Sequence, residues 1–297
     1  MTVTFNCPNC GSTNTFDREH CGRLGRCEAC GQLFIIPMND NEAPAKYGPE
    51  VAGDRPPPSF YGELFVESWK IFINPANATS LVFVAAVVLF KFFLAEAACC
   101  VNLITYVVAW GWLFGFYLNV IYETAFGTDE LPQIYLGTSI TFLWYVIKPF
   151  FIFVFTMAVV QTPFIITAAL LRNRVTAEDM WKFQSVWHVL VQASFIFGLF
   201  LFPAAILTVA VGKDIAMLRP DYLLPAVFKA FGPYIIVVFL LVTTAAVETR
   251  TEPLDTSASV GTNAVYVALN LVVQVLAITA MRAIGLFYRH YNHHFRW

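Results

Sequence analysis

The sequence predicts an all-α polytopic membrane domain with a small β-rich module at its N-terminus. Three observations predict this fold class. Hydrophobic residues make up 58% of the 297 residues. Charged residues make up only 13%, well below the roughly 25% that is usual in soluble domains. Apolar runs of about 20 residues, the length that crosses a bilayer core, recur after position 79.

Two CxxCG knuckles define the N-terminal module, residues 1–37. The first holds Cys7 and Cys10, and the second holds Cys27 and Cys30. The 16 residues between the knuckles fall within the roughly 15–20 that are typical of zinc sites. Four thiolates leave tetrahedral zinc no open position, so we expect a structural Zn²⁺ that stabilises a zinc ribbon and does not activate water. No βαβ pattern surrounds either pair, which disfavours a redox role.

Further polar residues in the module are given structural roles. We expect Cys21 to be a small apolar residue and His20 to lie in a solvated turn, although a metal contact by Cys21 stays open. Arg18, Arg23 and Arg26 make a weak footprint for nucleic acid without an aromatic stacking set. The net charge of −2 also gives no basic character, so no nucleic-acid partner is expected.

A Pro-rich linker, residues 38–59, separates the module from the membrane domain, residues 60–297. The linker ends in three consecutive prolines, which favour an extended conformation. The next residues predict an interfacial amphipathic helix, with Glu63 outside its apolar stripe. The stripe comprises Phe60, Leu64, Phe65, Trp69 and Phe72. A second interfacial helix is predicted over residues 220–232.

Six apolar runs are long enough to be transmembrane helices. The predicted spans are about 79–98, 102–125, 144–171, 188–211, 232–249 and 263–287. The third contains Pro149 and Pro163, which predict bending that neighbouring helices accommodate. Asn74-Pro75-Ala76 predicts a turn ahead of the first span.

The compartment follows from cysteine chemistry. Zinc thiolates persist in reducing compartments, so the N-terminus is predicted to be cytoplasmic in a multi-pass protein of the cell membrane. Six spans then place the C-terminus in the cytoplasm as well. Loop charges agree in part: Lys70, Lys213 and Arg219 would face the cytoplasm, whereas Arg172 and Arg174 would not.

Ionisable residues within spans are costly and therefore suggest function. They are Lys91, Glu96, Glu123, Lys148 and Arg282. Most lie near a span end, where they are expected to snorkel to the interface. Lys91 is the least easily accommodated, because five residues separate it from Glu96 by about 140° around the helix. These groups leave a transport path open as an alternative.

No enzyme motif is present. The sequence contains no HExxH, no GxSxG and no phosphate-binding glycine loop, and we therefore predict no catalytic residues. His290, His293 and His294 have the spacing of helical metal ligands. With Arg289 beside them, a basic tail that faces lipid headgroups is the favoured interpretation.

Several stretches carry a family resemblance. They are Gly115–Pro132 (GFYLNVIYETAFGTDELP), Phe202–Leu207, Gly232–Tyr234 and the C-terminal Gly285–Trp297. In these the chain resembles a group of uncharacterised bacterial multi-pass membrane proteins that are grouped near Yip1-like domains and fused to CPxCG/CxxCG zinc ribbons. The resemblance implies architecture alone, since the group has no established activity.

We accordingly expect a non-enzymatic membrane scaffold or organiser. Its partners would be the lipid bilayer and a cytoplasmic protein that binds the zinc ribbon. A transporter or channel with a regulatory ribbon is the alternative, and an intramembrane enzyme is a third, less favoured one. Oligomeric state is left open by the sequence.

Overall fold

A computed structural model of the chain describes residues 2–6, 12–21, 24–27, 33–37, 59–94, 99–132, 140–175, 185–212, 227–254 and 256–292. The chain divides into two compact units, Met1–Pro58 and Ser59–Trp297. Of the sites expected from sequence, Cys7, Cys10, Cys30, Glu96 and most of the linker lie outside the described residues.

The N-terminal unit contains two antiparallel strand pairs. Strand β1 (Thr2–Asn6) pairs with β2 (Thr13–Asp17), and β3 (Leu24–Arg26) pairs with β4 (Leu33–Ile35). Alternate residues of β1 are buried, as the two-residue period of a strand requires. The buried cluster comprises Val3, Phe5, Cys27 and Ile36, with Phe16 and Cys21 packed against it.

The second unit is helical. It opens with an amphipathic segment, residues 60–73, that consists of α1 (Phe60–Gly62), a π-helical stretch (Glu63–Glu67) and α2 (Ser68–Ile73). Asn74 then caps a short 3₁₀ turn, because its side chain accepts a hydrogen bond from the Ala76 amide at 3.1 Å. The longer helices follow: α3 (Ala78–Leu94), α4 (Cys99–Ala125), α5 (Ile140–Val160), α6 (Thr162–Leu170), α7 (Val186–Gly212), α8 (Phe231–Glu248) and α9 (Val260–Tyr291).

Among the described residues, five helices are long and apolar enough to cross a membrane, namely α3, α4, α7, α8 and α9. Helices α5 and α6 form a pair bent by 55°, which would make a sixth span if the pair crosses as one. The break falls at Gln161, two residues before Pro163, where the third predicted span was expected to bend. Pro149 lies inside α5. The helix bounds overlap the six predicted spans.

Helix α4 lies at the centre of the bundle and packs closely against α5 and α9. Glycines permit this approach: a Cβ added to Gly285 of α9 would lie 2.7 Å from the Ile121 carbonyl oxygen of α4. A Cβ on Gly111 would collide with Val146 of α5. Small residues at helix contacts are typical of membrane bundles, whose helices associate through close van der Waals packing.

Candidate functional site

In the N-terminal unit, the residue after the first knuckle lies next to the first cysteine of the second knuckle. Cys27, the first cysteine of the second knuckle, is 1% exposed. Its Sγ lies 3.1 Å from the Oγ of Ser12. Ser12 is two residues after Cys10, the second cysteine of the first knuckle. The backbone at Ser12 is held in turn by the Asn14 side chain, which donates to the Ser12 carbonyl at 2.9 Å.

The complete predicted zinc site cannot be assembled from the described residues, which include only Cys27 of its four cysteines. Within them no group of three or more His, Cys, Asp or Glu side chains is placed to hold a metal ion. His20 is exposed and Cys21 is partly buried against the small core, in keeping with the turn and packing roles expected for them.

Lys91 forms a largely buried ion pair in the helical unit. Its Nζ donates to Glu248 Oε1 at 2.7 Å, with side-chain exposures of 9% and 23% respectively. The ammonium also lies 4.4 Å from the centre of the Trp110 ring, close enough for a cation–π interaction. The pair joins the last turns of α3 and α8. The carboxylate that pairs with Lys91 is therefore Glu248 of α8, whereas the sequence suggests only Glu96, which is predicted to be poorly placed on the same helix.

Other polar side chains between the helices are also paired. The Tyr117 hydroxyl of α4 donates to Gln274 Oε1 of α9. Asn270 donates from Nδ2 to the carbonyl oxygens of Glu252, at 3.0 Å, and Tyr266, at 2.9 Å. The first contact joins α4 to α9, and the contact with Glu252 joins α9 to the loop after α8. Hydrogen bonding between helices is the common role of polar residues in membrane bundles.

A charged cluster lies at the opposite end of the bundle, where the chain enters the helical unit. Arg282 donates to Asp129 Oδ1 at 2.9 Å, and Arg289 donates to the same oxygen at 3.2 Å. His290 Nε2 lies 2.9 Å from Glu63 Oε2. The cluster thus connects the amphipathic segment, the loop after α4 and the end of α9.

The loop after α4 is held by backbone and side-chain contacts. Gly127, at a positive φ of 90°, ends the helix, and the Thr128 amide donates back to the Glu123 carbonyl at 2.9 Å. Asn77 accepts a hydrogen bond from the Leu131 amide at 2.9 Å. These contacts fix the position of Asp129 between the two arginines.

Several charged residues differ from their expected settings. Arg282 does not snorkel, because its side chain is 3% exposed and paired with Asp129. Glu63, expected on the polar side of the amphipathic segment, is 4% exposed and faces α9. Arg289 pairs with Glu63 and Asp129, and His290 pairs with Glu63. His293 and His294 lie outside the described residues.

Two further ionisable residues of the predicted spans are more exposed than Lys91 and Arg282. Lys148 is exposed, and Glu123 is half-buried near the end of α4. Snorkelling remains the simplest account of Lys148. The sequence shows that acidic and basic residues both occur near the span ends. It does not show which of them pair.

Comparisons with protein families, with curated proteins and with solved structures return no match for this chain.

Proposed function

We propose that this chain is a multi-pass membrane scaffold whose N-terminal zinc ribbon binds a cytoplasmic protein. The observation that supports the scaffold assignment is that two buried cations of the helical unit are each paired with a carboxylate. Lys91 is joined to Glu248, and Arg282 is joined to Asp129. Charges that bind each other stabilise one fixed bundle, whereas a transport path requires polar groups that exchange protein partners for a solute.

The proposed topology has six spans, with the bent pair α5–α6 counted as one. An even number places both termini on the same side. The amphipathic segment agrees with an interfacial position, because one side packs on the bundle through Phe60 and Leu64 while the other exposes Phe65 and Trp69. Exposed aromatic residues at a helix-bundle end favour contact with lipid headgroups. The reducing chemistry of the knuckles supports the cytoplasm as that side.

The proposed metal is a structural Zn²⁺ held by Cys7, Cys10, Cys27 and Cys30. The described part of the site fits this role, because Cys27 is buried and a hydroxyl lies within hydrogen-bonding distance of its sulfur. When bound, the ion would cross-link the two knuckles of a unit whose apolar core is very small. Chemistry at the metal is not proposed, since four thiolates leave no open coordination position.

The scaffold proposal is tested by purifying intact protein in nanodiscs and identifying the proteins that copurify with it. The test variant carries Cys7→Ser and Cys10→Ser, and Cys21→Ser serves as the matched control because Cys21 lies outside both knuckles. We expect the test variant to lose a copurifying protein while the helical unit stays folded, and the control to retain it. An unchanged set of partners would overturn the proposal.

Zinc content of the same samples tests the ligand assignment separately. A closed four-thiolate site stays occupied through purification, so wild-type protein should hold about one equivalent of zinc. Less than about half an equivalent in wild-type protein would reject the assignment. The cysteine control should match wild type.

A transporter or channel is the second candidate, and one observation favours it. Polar groups of four helices, including Lys91, Glu248, Tyr117 and Gln274, lie between the helices rather than on the lipid-facing surface. Transport predicts that Lys91→Met or Glu248→Gln changes solute flux in proteoliposomes at unchanged protein stability. The scaffold proposal predicts that these substitutions act on stability.

A further inference from the structure

The contact between Ser12 and Cys27 joins parts of the chain that are 15 residues apart. The hydroxyl and thiol groups are separated by 3.1 Å, well inside the range for a hydrogen bond that involves sulfur. Each residue belongs to a different knuckle region, and Cys27 is a predicted metal ligand. A specific side chain therefore lies beside a ligand sulfur.

We infer that Ser12 is a positioning residue of the zinc site, whose hydroxyl donates a hydrogen bond to the Cys27 sulfur and slows the loss of the metal. This inference rests on the proposed zinc ribbon. In the zinc-bound state Cys27 is a thiolate, which can only accept a hydrogen bond. The direction of the bond is then fixed: Ser12 Oγ–H donates and Cys27 Sγ accepts.

The local structure holds the hydroxyl in place. Ser12 directly precedes β2, whose first residue, Thr13, pairs with Asn6 of β1. The Ser12 carbonyl accepts a hydrogen bond from Asn14, whose side chain is itself buried. The backbone that follows the serine is thereby restrained, so less conformational freedom is lost when the hydroxyl meets the sulfur.

Burial increases the importance of the hydrogen bond between Ser12 and Cys27. Cys27 is 1% exposed, so water has little access to its sulfur. A thiolate that loses this donor keeps more of its negative charge in a poorly solvated position. A hydroxyl donor stabilises that charge and keeps the ligand oriented, and loss of such an outer contact commonly lowers metal affinity by about 10–100-fold.

The test uses full-length protein in nanodiscs and three variants. Ser12→Ala removes the hydroxyl, and Ser12→Thr retains it. Thr13→Val is the matched control, because the neighbouring Thr13 hydroxyl donates to Asn6 Oδ1 at 3.1 Å and not to a cysteine. Zinc release to an excess of chelator is followed by absorbance, and a second preparation loaded with Co²⁺ reports the sulfur-to-metal charge-transfer band.

We expect Ser12→Ala to release zinc about tenfold faster than wild type and to move the charge-transfer band to lower energy. The band shifts because a sulfur without its hydrogen bond gives up an electron more readily. A merely structural role for Ser12 would leave the band of the loaded protein unmoved. Ser12→Thr and Thr13→Val should resemble wild type in both measurements.

The outcomes separate this inference from the proposed function. Wild-type protein without zinc would overturn the ribbon and the inference together. Wild-type protein with one zinc, but with an unchanged release rate and band in Ser12→Ala, would overturn the role of Ser12 alone. If Ser12→Ala cannot be loaded, Ser12→Thr decides: full zinc content supports the hydroxyl donor, and loss of zinc refutes it.

Discussion

The ion pair between Lys91 and Glu248 should stabilise the helical unit only while both charges are present. At 2.7 Å the two charges attract by about 6 kcal/mol with an effective dielectric constant of about 20, before the cost of desolvation is subtracted. Removing one partner leaves the other charge poorly solvated, at a cost of about 3–5 kcal/mol for a fully buried pair. Because the Glu248 side chain is 23% exposed, we expect the lower end, about 3 kcal/mol.

The perturbation is a double-mutant cycle of Lys91→Met and Glu248→Gln. Each single variant should lose about 3 kcal/mol in free energy of unfolding, with Glu248→Gln slightly milder because Trp110 still faces the ammonium. The double variant removes both charges and should recover most of that loss. The expected coupling energy is therefore at least about 2 kcal/mol.

Equilibrium unfolding in mixed detergent micelles, followed by tryptophan fluorescence, measures these free energies. The matched control is the exposed pair Lys70 and Glu67, joined at 3.3 Å with side-chain exposures of 72% and 40%. Neutralising it should change stability by less than about 0.5 kcal/mol. Lys91 and Glu248 would not stabilise the bundle as a coupled pair if neutralising them changed stability as little as in this control, or if the two single effects were simply additive.

Three further predictions follow from other parts of the molecule. Gly285→Val should destabilise the bundle by about 2 kcal/mol or more, because the new side chain collides with the Ile121 carbonyl oxygen. Gly261→Ala is the control and should be tolerated, because a Cβ there has room. Thermal unfolding of the two variants measures the difference. Glu63→Gln should loosen the amphipathic segment by weakening its contact with His290, and limited proteolysis near the segment should accelerate relative to wild type. If the N-terminal unit holds the proposed Zn²⁺, a chelator should unfold that unit and leave the helical unit folded, and hydrogen exchange measured for each unit would reveal this.

Much of the helical architecture could be predicted from local sequence. Long apolar runs produce helices because a helix satisfies its own backbone hydrogen bonds, which an apolar surrounding cannot do. The bend before Pro163 was also predictable, since proline removes an amide donor and its ring collides with the preceding turn. The metal site stays a prediction, because Cys7, Cys10 and Cys30 lie outside the described residues.

The partners of the buried charges were not predictable in the same way. Lys91 and Glu248 are 157 residues apart, and no local pattern specifies which of several acidic residues will reach the ammonium. Glu63 looked like a polar-face residue because helical periodicity describes only one helix at a time. Packing against α9 brings Arg289 and His290 next to Glu63, and these partners offset the desolvation cost of burying its carboxylate.

The apolar helices, the break near Pro163 and the paired CxxCG knuckles are predictable from local sequence, because each depends on residues that are close together in the chain. Three other features arise from packing: which helices meet, the pairing of Arg282 with Asp129, and the contact of Ser12 with the sulfur of Cys27. Such contacts depend on the directions in which distant segments pack. Close approach at Gly285, for example, sets how α9 lies against α4, and with it where the charges of α9 find their partners.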